Sequence, residues 1–141
     1  MKILELISSA GFYGAEAVVV NLAEQLRLQG HECIVGVFRN RHCPNVAVAE
    51  KAAEREIPAE IFPCAGRLDF QLIAQLRRFA EEHQIEIVHT HGYKSSLYAW
   101  LAYRNCGVKL VATCHNWPGT SLKMRAYALL DKLLLRRFDR V

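Results

Sequence analysis

Side chains able to do chemistry gather in two stretches of the sequence, His89-Thr90-His91-Gly92-Tyr93-Lys94-Ser95 and His115-Asn116, while a third stretch, Ser8 to Ala15, carries Gly11 and Gly14. An imidazole takes up and releases a proton near neutral pH, and it serves as donor, acceptor or general base. His115 follows the apolar run LVATC, so a titratable ring caps a buried strand. It is placed to donate to a sugar hydroxyl or a phosphate, or to move a proton; the plain alternative is a structural histidine bonded to backbone. Lys94 and Ser95 stand where a helix begins, and their side chains and amides suit an anion, although a solvated Lys94 fits equally. His89 and His91 are expected on opposite sides of a strand end, His89 packed inward and His91, next to Gly92, in a cleft. Gly11 and Gly14 can take φ > 0 and let another group approach the backbone. Glu16 either accepts hydrogen bonds from hydroxyls or merely favours a helix N-terminus. No Ser-His-Asp order, HExxH, P-loop lysine or spaced carboxylate pair is evident.

These groups need elements to hold them. Lys2 to Ser8 (KILELIS) reads as a buried parallel strand in which polar Lys2 and Glu5 are the exceptions. A helical period begins at Ala15, with Val18, Val19, Leu22, Leu26 and Leu28 on or near one face, and Gly30 ends it. The helix N-terminus therefore faces the space beyond the strand, which favours an anionic ligand. Strands follow at Cys33 to Phe38, near Glu60 to Pro63, at Ile85 to Thr90 and at Lys109 to Cys114. Helices alternate with them from about Val46 to Arg55, after an Asp69 N-cap with Phe70, Ile73, Leu76, Phe79 and Ala80 inward, from Lys94 or Ser95 to near Gly107, and from about Ser121 to Arg137. The alternation predicts a single α/β domain, a Rossmann-like doubly wound parallel sheet with helices on both faces. Phe138-Asp139-Arg140-Val141 reads as the approach to a sixth strand, so we expect a fragment of something longer.

The chain of 141 residues is 52% hydrophobic, enough for one good core, and no run approaches the roughly 20 apolar residues of a membrane span. Without a basic leader and apolar stretch after Met1, a cytoplasmic location is expected. Five cysteines without CxxC spacing predict reduced, buried thiols and no metal. Residues 94–141 carry nine Lys and Arg against two Asp and Glu, whereas residues 1–93 carry nine against twelve. The basic C-terminal third suits phosphates or an anionic membrane; without interleaved aromatics or a recognised motif, nucleic acid is not expected. The last helix lays Leu122, Ala126, Leu129, Leu130, Leu133 and Leu134 to one side, expected against the core, with peripheral membrane contact as the alternative.

GFYGAEAVVVNLAEQL, IEIVHTHGYKSSLYAWLA, and KLVATCHN followed by a long helix ending FDRV resemble, in that order, the N-terminal domain of GT-B glycosyltransferases of the retaining family 4. The resemblance implies an N-terminal half that chiefly binds the acceptor, a sugar, lipid or other small molecule, and a missing C-terminal domain that binds a nucleotide-sugar donor. It maps the turn that approaches donor phosphates and sugar onto Gly14, Ala15 and Glu16, with Tyr13 where many members have a first glycine. It maps the catalytic histidine near the transferred sugar onto His115, and acceptor contacts onto His91, Gly92, Tyr93, Lys94, Ser95 and Asn116. It implies retention of configuration, no cofactor and no essential metal, a role in cell-envelope polysaccharide or lipopolysaccharide synthesis, and an isolated chain that is inactive. Two other readings stand beside it: another GT-B enzyme such as a sugar-nucleotide epimerase, and a non-enzymatic nucleotide- or partner-binding module. Dinucleotide binding is disfavoured, because GxGxxG is absent and the second strand ends in Phe38-Arg39 rather than an acidic ribose ligand.

Overall fold

A computed structural model describes residues 1–115 and 121–141, so Asn116 lies outside the described residues. Five parallel strands, β1 (Lys2–Ser8), β2 (Glu32–Asn40), β3 (Ala59–Cys64), β4 (Ile87–His91) and β5 (Lys109–Thr113), form one sheet in the order β3-β2-β1-β4-β5. Five helices alternate with them: α1 (Gly14–Leu28), α2 (Ala47–Glu54), α3 (Phe70–His83), α4 (Tyr93–Tyr103) and α5 (Leu122–Leu135). The fold class is the expected one. Arg140 makes a parallel bridge to Val111, beside β5.

Strand parity decides which side chain meets which layer. Leu4, Leu6 and Val88 enter the core under α3, α4 and the end of α5, whereas Ile3 and Ile7 pack with Val19, Val20 and Ala23 of α1 and Val48 and Ala52 of α2. Glu5 shares the parity of Ile3 and Ile7 and so points into the α1/α2 layer, as do His89 and His91, which share the parity of Ile87. Gly36 of β2 is a packing requirement, since a Cβ there would meet Leu4, Leu6 and Phe62 at 2.9–3.0 Å.

The capping chemistry reads as the sequence implies at Asp69, whose side chain accepts from the N–H groups of Gln71 and Leu72. Its carboxyl is held below the usual range, first by the N–H of Ala65. Phe70, however, is 74% exposed, and Leu72 takes the inward place expected for it. Val18 and Leu28 of α1 are likewise exposed, with Val19, Val20 and Ala23 turned inward. The largest departure is α5. Leu122, Leu129, Leu130 and Leu133 are all about half or more exposed, and only Asp131 and Leu135 of this helix are buried. Of the row expected against the core only Leu134 packs there, and among the described helices α5 is held chiefly by α4. Two cysteines, Cys33 and Cys64, are buried; Cys43, Cys106 and Cys114 are exposed, against expectation. Burial pushes the Cys33 thiol up to about 12.

Candidate active site

The strand order reverses between β1 and β4, and the loops after their carboxyl ends therefore diverge over a crevice, the place where open α/β sheets bind ligands. Directly beneath this crevice lies Glu5, fully buried in the middle of β1. Its register partner is His89 of β4, and Ile7, two residues on, pairs with His91. The carboxylate meets both imidazoles. Its Oε2 lies 2.6 Å from His91 Nε2 and 3.0 Å from His89 Nδ1, and Oε1 is 3.2 Å from the same His89 nitrogen. Each ring continues outward: His91 Nδ1 is 3.0 Å from His115 Nε2, and His89 Nε2 is 2.8 Å from the Thr113 hydroxyl. The His91 and His115 ring centroids are 5.3 Å apart with a 22° interplanar angle, so the rings meet edge to edge, as a bond between ring nitrogens requires. Three strands thus contribute to one chain of polar contacts leading from the sheet interior to an exposed imidazole at His115.

A buried carboxylate survives only if hydrogen bonds compensate its lost hydration. Burial is the strongest single influence on Glu5 and opposes ionisation, yet the hydrogen bonds and charges of His89 and His91 outweigh it and leave its pKa below the ordinary value. Burial also holds the His91 imidazole below its ordinary pKa, against the pull of Glu5. The pair is therefore an ionised carboxylate and a neutral ring.

Sequence reasoning placed His89 and His91 on opposite sides of the strand. The structure corrects this: residues two apart on a strand share a face, and both rings reach the same carboxylate. It also exchanges their burial, His91 being 3% exposed and His89 the more open of the two. His91 does not line the cleft surface; it stands between Glu5 and His115. Ser95 is also withdrawn from the rim, fully buried and donating its hydroxyl to the carbonyls of His91 and Gly92. Gly92 is the N-cap of α4 at φ 96° and ψ 163°, a region essentially reserved for glycine. Tyr93 is exposed and stacks on Tyr127 of α5 at 5.6 Å. Lys94 donates its ammonium to the Asn40 side chain, which in turn donates to Ser8 at 3.0 Å, tying α4 to the ends of β1 and β2.

Gly14 and Ala15 form the first turn of α1, and a Cβ added at Gly14 would meet nothing, so the space above that turn is open. Glu16 is occupied from within: its carboxylate accepts from the Ser9 hydroxyl at 2.6 Å and from the Tyr13 N–H at 2.9 Å. Burial opposes its ionisation, but the Ser9 bond, backbone N–H groups of Glu16 and Tyr13, and the charge of His115 hold its pKa below the ordinary value. Glu16 shapes the turn, closing Ser9 to Tyr13 into a compact loop.

Glu5, His89 and His91 bring one ligand atom each within 4.8 Å of one another, a donor set that would suit zinc. The fit is poor. Ligands at about 2.1 Å in a tetrahedron lie about 3.4 Å apart, whereas both imidazole nitrogens sit at 2.6 and 3.0 Å from Glu5 Oε2, the spacing of hydrogen bonds.

Several groups at this end of the sheet carried no sequence signal. Glu5 read as an exception in an apolar strand, and no motif marks Arg41 or Arg67. With Lys94 and Asn40 these two arginines line a recess of about 550 Å³ beside Ser8, Ser9 and Ala10. Three cations around a concave wall at the ends of β1 and β2 favour an anionic or phosphate-bearing ligand. A second cleft, about 490 Å³, lies between α4 and α5 with Leu97, Trp100, Tyr127 and Leu130 in its wall.

The family model of glycosyltransferase family 4 matches residues 12–141. Among solved structures, Anabaena HepE in complex with UDP superposes with a TM-score of 0.78 at 23% identity, over 98% of this chain and 36% of HepE. The lipopolysaccharide outer core galactosyltransferase WaaB superposes with a TM-score of 0.63 at 20% identity, over 91% of this chain and 37% of its own. The UDP-GlcNAc 2-epimerase of Neisseria meningitidis, bound to UDP-GlcNAc, gives 0.61 at 16% identity, over 95% and 38%. These likenesses show the fold, that of the N-terminal half of GT-B enzymes, and the chain spans little more than a third of the length of each. No curated protein matches the sequence.

Proposed function

The chain belongs to glycosyltransferase family 4, and from this we propose that it is the acceptor-side half of an enzyme that transfers a sugar from a nucleotide-sugar donor with retention of configuration. The observation that carries the reading is the exposed imidazole of His115, hydrogen-bonded to His91 above the buried Glu5 carboxylate, on the same strand-end rim as the open turn at Gly14 and Ala15. In this reading His115 meets the transferred sugar, the α1 N-terminus faces the donor diphosphate, and Gly92, Tyr93 and Lys94 border the acceptor. By its place next to His115 in the sequence, Asn116 is assigned to the acceptor as well. The donor nucleotide is held by a second domain outside these residues, so the isolated chain does not turn over, and no metal or cofactor takes part. HepE binds UDP and UDP-glucose, which makes UDP-glucose the first donor to try.

A cell-envelope polysaccharide or lipopolysaccharide acceptor is supported by the likeness to WaaB. Among the described residues no helix is long and apolar enough to cross a membrane. The exposed leucine row of α5, next to Lys123, Arg125 and Arg136, supports peripheral contact with an anionic membrane face, and with it a cytoplasmic site of action.

The test is calorimetric titration of the 141-residue chain with UDP-glucose, beside UDP-release and product analysis on a chain extended through a donor domain. Weak or no binding by the short chain and acceptor-dependent, retaining release by the long one are expected. Tight binding by the short chain would remove the donor site from the second domain. The epimerase neighbour supports one alternative, and conversion of the donor sugar without any acceptor would establish it in place of transfer.

A further inference from the structure

No local pattern assigns a role to Glu5, yet a fully buried acid in the central strand is costly to keep. Its surroundings determine where protons reside. An ionised carboxylate only accepts hydrogen bonds, so the nitrogen 2.6 Å away, His91 Nε2, carries a proton and donates it. A neutral imidazole has one N–H, and His91 Nδ1 is then a bare lone pair. The atom 3.0 Å from that lone pair, His115 Nε2, must be the donor of this contact. One N–H is thereby assigned to His115, and its other nitrogen, Nδ1, is left as an acceptor. The second arm obeys the same rule. His89 donates Nδ1–H to Glu5, and its Nε2 lone pair accepts the Thr113 hydroxyl at 2.8 Å. In both arms every shared contact then joins one donor to one acceptor, and His115 Nδ1 alone faces outward.

We propose that Glu5 is a positioning residue for His115, acting through His91 to fix the ring's orientation and its Nε2–H tautomer so that Nδ1 is presented as a hydrogen-bond acceptor. The sugar-facing role of Nδ1 rests on the function proposed above; the proton arrangement does not. A ring so held accepts a hydroxyl proton in a hydrogen bond and cannot offer Nδ1–H to a phosphate while neutral. No proton needs to travel to Glu5. Its charge and geometry act by selecting the tautomer, as a carboxylate behind a histidine generally does.

Other groups facing this array are Glu16 on α1, which feels the charge of His115, and the buried thiol of Cys33 on β2, whose ionisation Glu5 opposes. Neither is within the hydrogen-bonded chain, so neither competes for the His91 or His115 protons.

The experiment is histidine-ring NMR on the chain itself, uniformly labelled with ¹⁵N, at a pH where the rings are neutral. It needs no substrate and no turnover, so its failure is distinct from failure of the transferase reading. Expected are a one-bond ¹H–¹⁵N correlation at His115 Nε2, a through-hydrogen-bond ¹⁵N–¹⁵N coupling from it to His91 Nδ1, and a proton on Nδ1 of His89. Glu5→Gln, which keeps shape and removes charge, should abolish the His91–His115 coupling, while Thr113→Val, cutting only the other arm, should retain it. A proton on His115 Nδ1, or absence of the coupling in the wild-type chain, overturns the proposal even if Glu5→Gln fails to fold. Persistence of the wild-type coupling and tautomer in folded Glu5→Gln overturns it as well.

Discussion

Replacing His91 by Leu removes one N–H from a carboxylate that has no access to water, leaving Glu5 with His89 alone. Breaking a buried pair from one side costs about 3–5 kcal/mol, and the surviving His89 contact puts the expected loss near the lower end, about 3 kcal/mol. Glu5→Leu removes the charge and leaves the N–H of His91 unsatisfied in the interior, a loss of about 2 kcal/mol, since His89 is partly open to solvent. The double variant removes both the charge and the donor that served it. It should lose only about 2 kcal/mol, far less than the sum of the single losses, giving a coupling of about 3 kcal/mol. Urea denaturation of the four proteins, followed by far-UV circular dichroism, measures the cycle. At about 3 °C per kcal/mol for a domain of this size, His91→Leu should melt about 10 °C below wild type. Additivity within about 0.5 kcal/mol would refute the reasoning, because it would mean that Glu5 does not depend on His91 for its compensation.

Acid should weaken the fold in a defined window. Both Glu5 and His91 have folded pKa values below their ordinary 4.5 and 6.5, so the unfolded chain binds more protons as pH falls. Stability is then fully present above about 6.5 and declines below it, first through His91 and then through Glu5; a melting temperature flat from pH 7 to 4 would contradict this. Gly92→Ala forces a Cβ into φ 96°, ψ 163° and should cost about 1–3 kcal/mol by backbone strain alone, since a Cβ there meets no neighbour; a neutral substitution in denaturant titration would count against that backbone geometry. The exposed Leu129, Leu130 and Leu133 of α5 should carry the chain into a pellet with phosphatidylglycerol vesicles but not with phosphatidylcholine vesicles, and serine at all three should reverse it; equal sedimentation with both lipids would remove the electrostatic part of the argument.

Local features were readable in the residue order. The apolar run before Gly11, the Asp69 cap and the alternation of short apolar runs with helical periods lead to the observed elements, because each depends on neighbours a few residues away. Most of the misplaced features depend on what lies opposite. Phe70 and Leu129, Leu130 and Leu133 of α5 have helical spacing, yet they stand exposed. The histidines are the exception: His89 and His91 stand two apart on β4 and share a face by strand parity alone, whatever packs against them. Arg41 and Arg67 acquire meaning only where their loops adjoin Lys94.

For the family and the fold class, the amino-acid order by itself was sufficient: strand and helix periods force a parallel α/β sheet, and the glycine turn with the two histidine segments marks the rim of its cleft. The tertiary structure alone decided what Glu5 does. Its partners are 84 and 86 residues away in sequence, and they reach it only because β4 inserts beside β1, with Glu5 in register with His89. Pairing of that kind follows from which apolar faces bury one another across the whole sheet, and no local pattern encodes it. An acid that looks like an interruption in β1 thereby becomes the foundation on which the exposed imidazole of His115 is set.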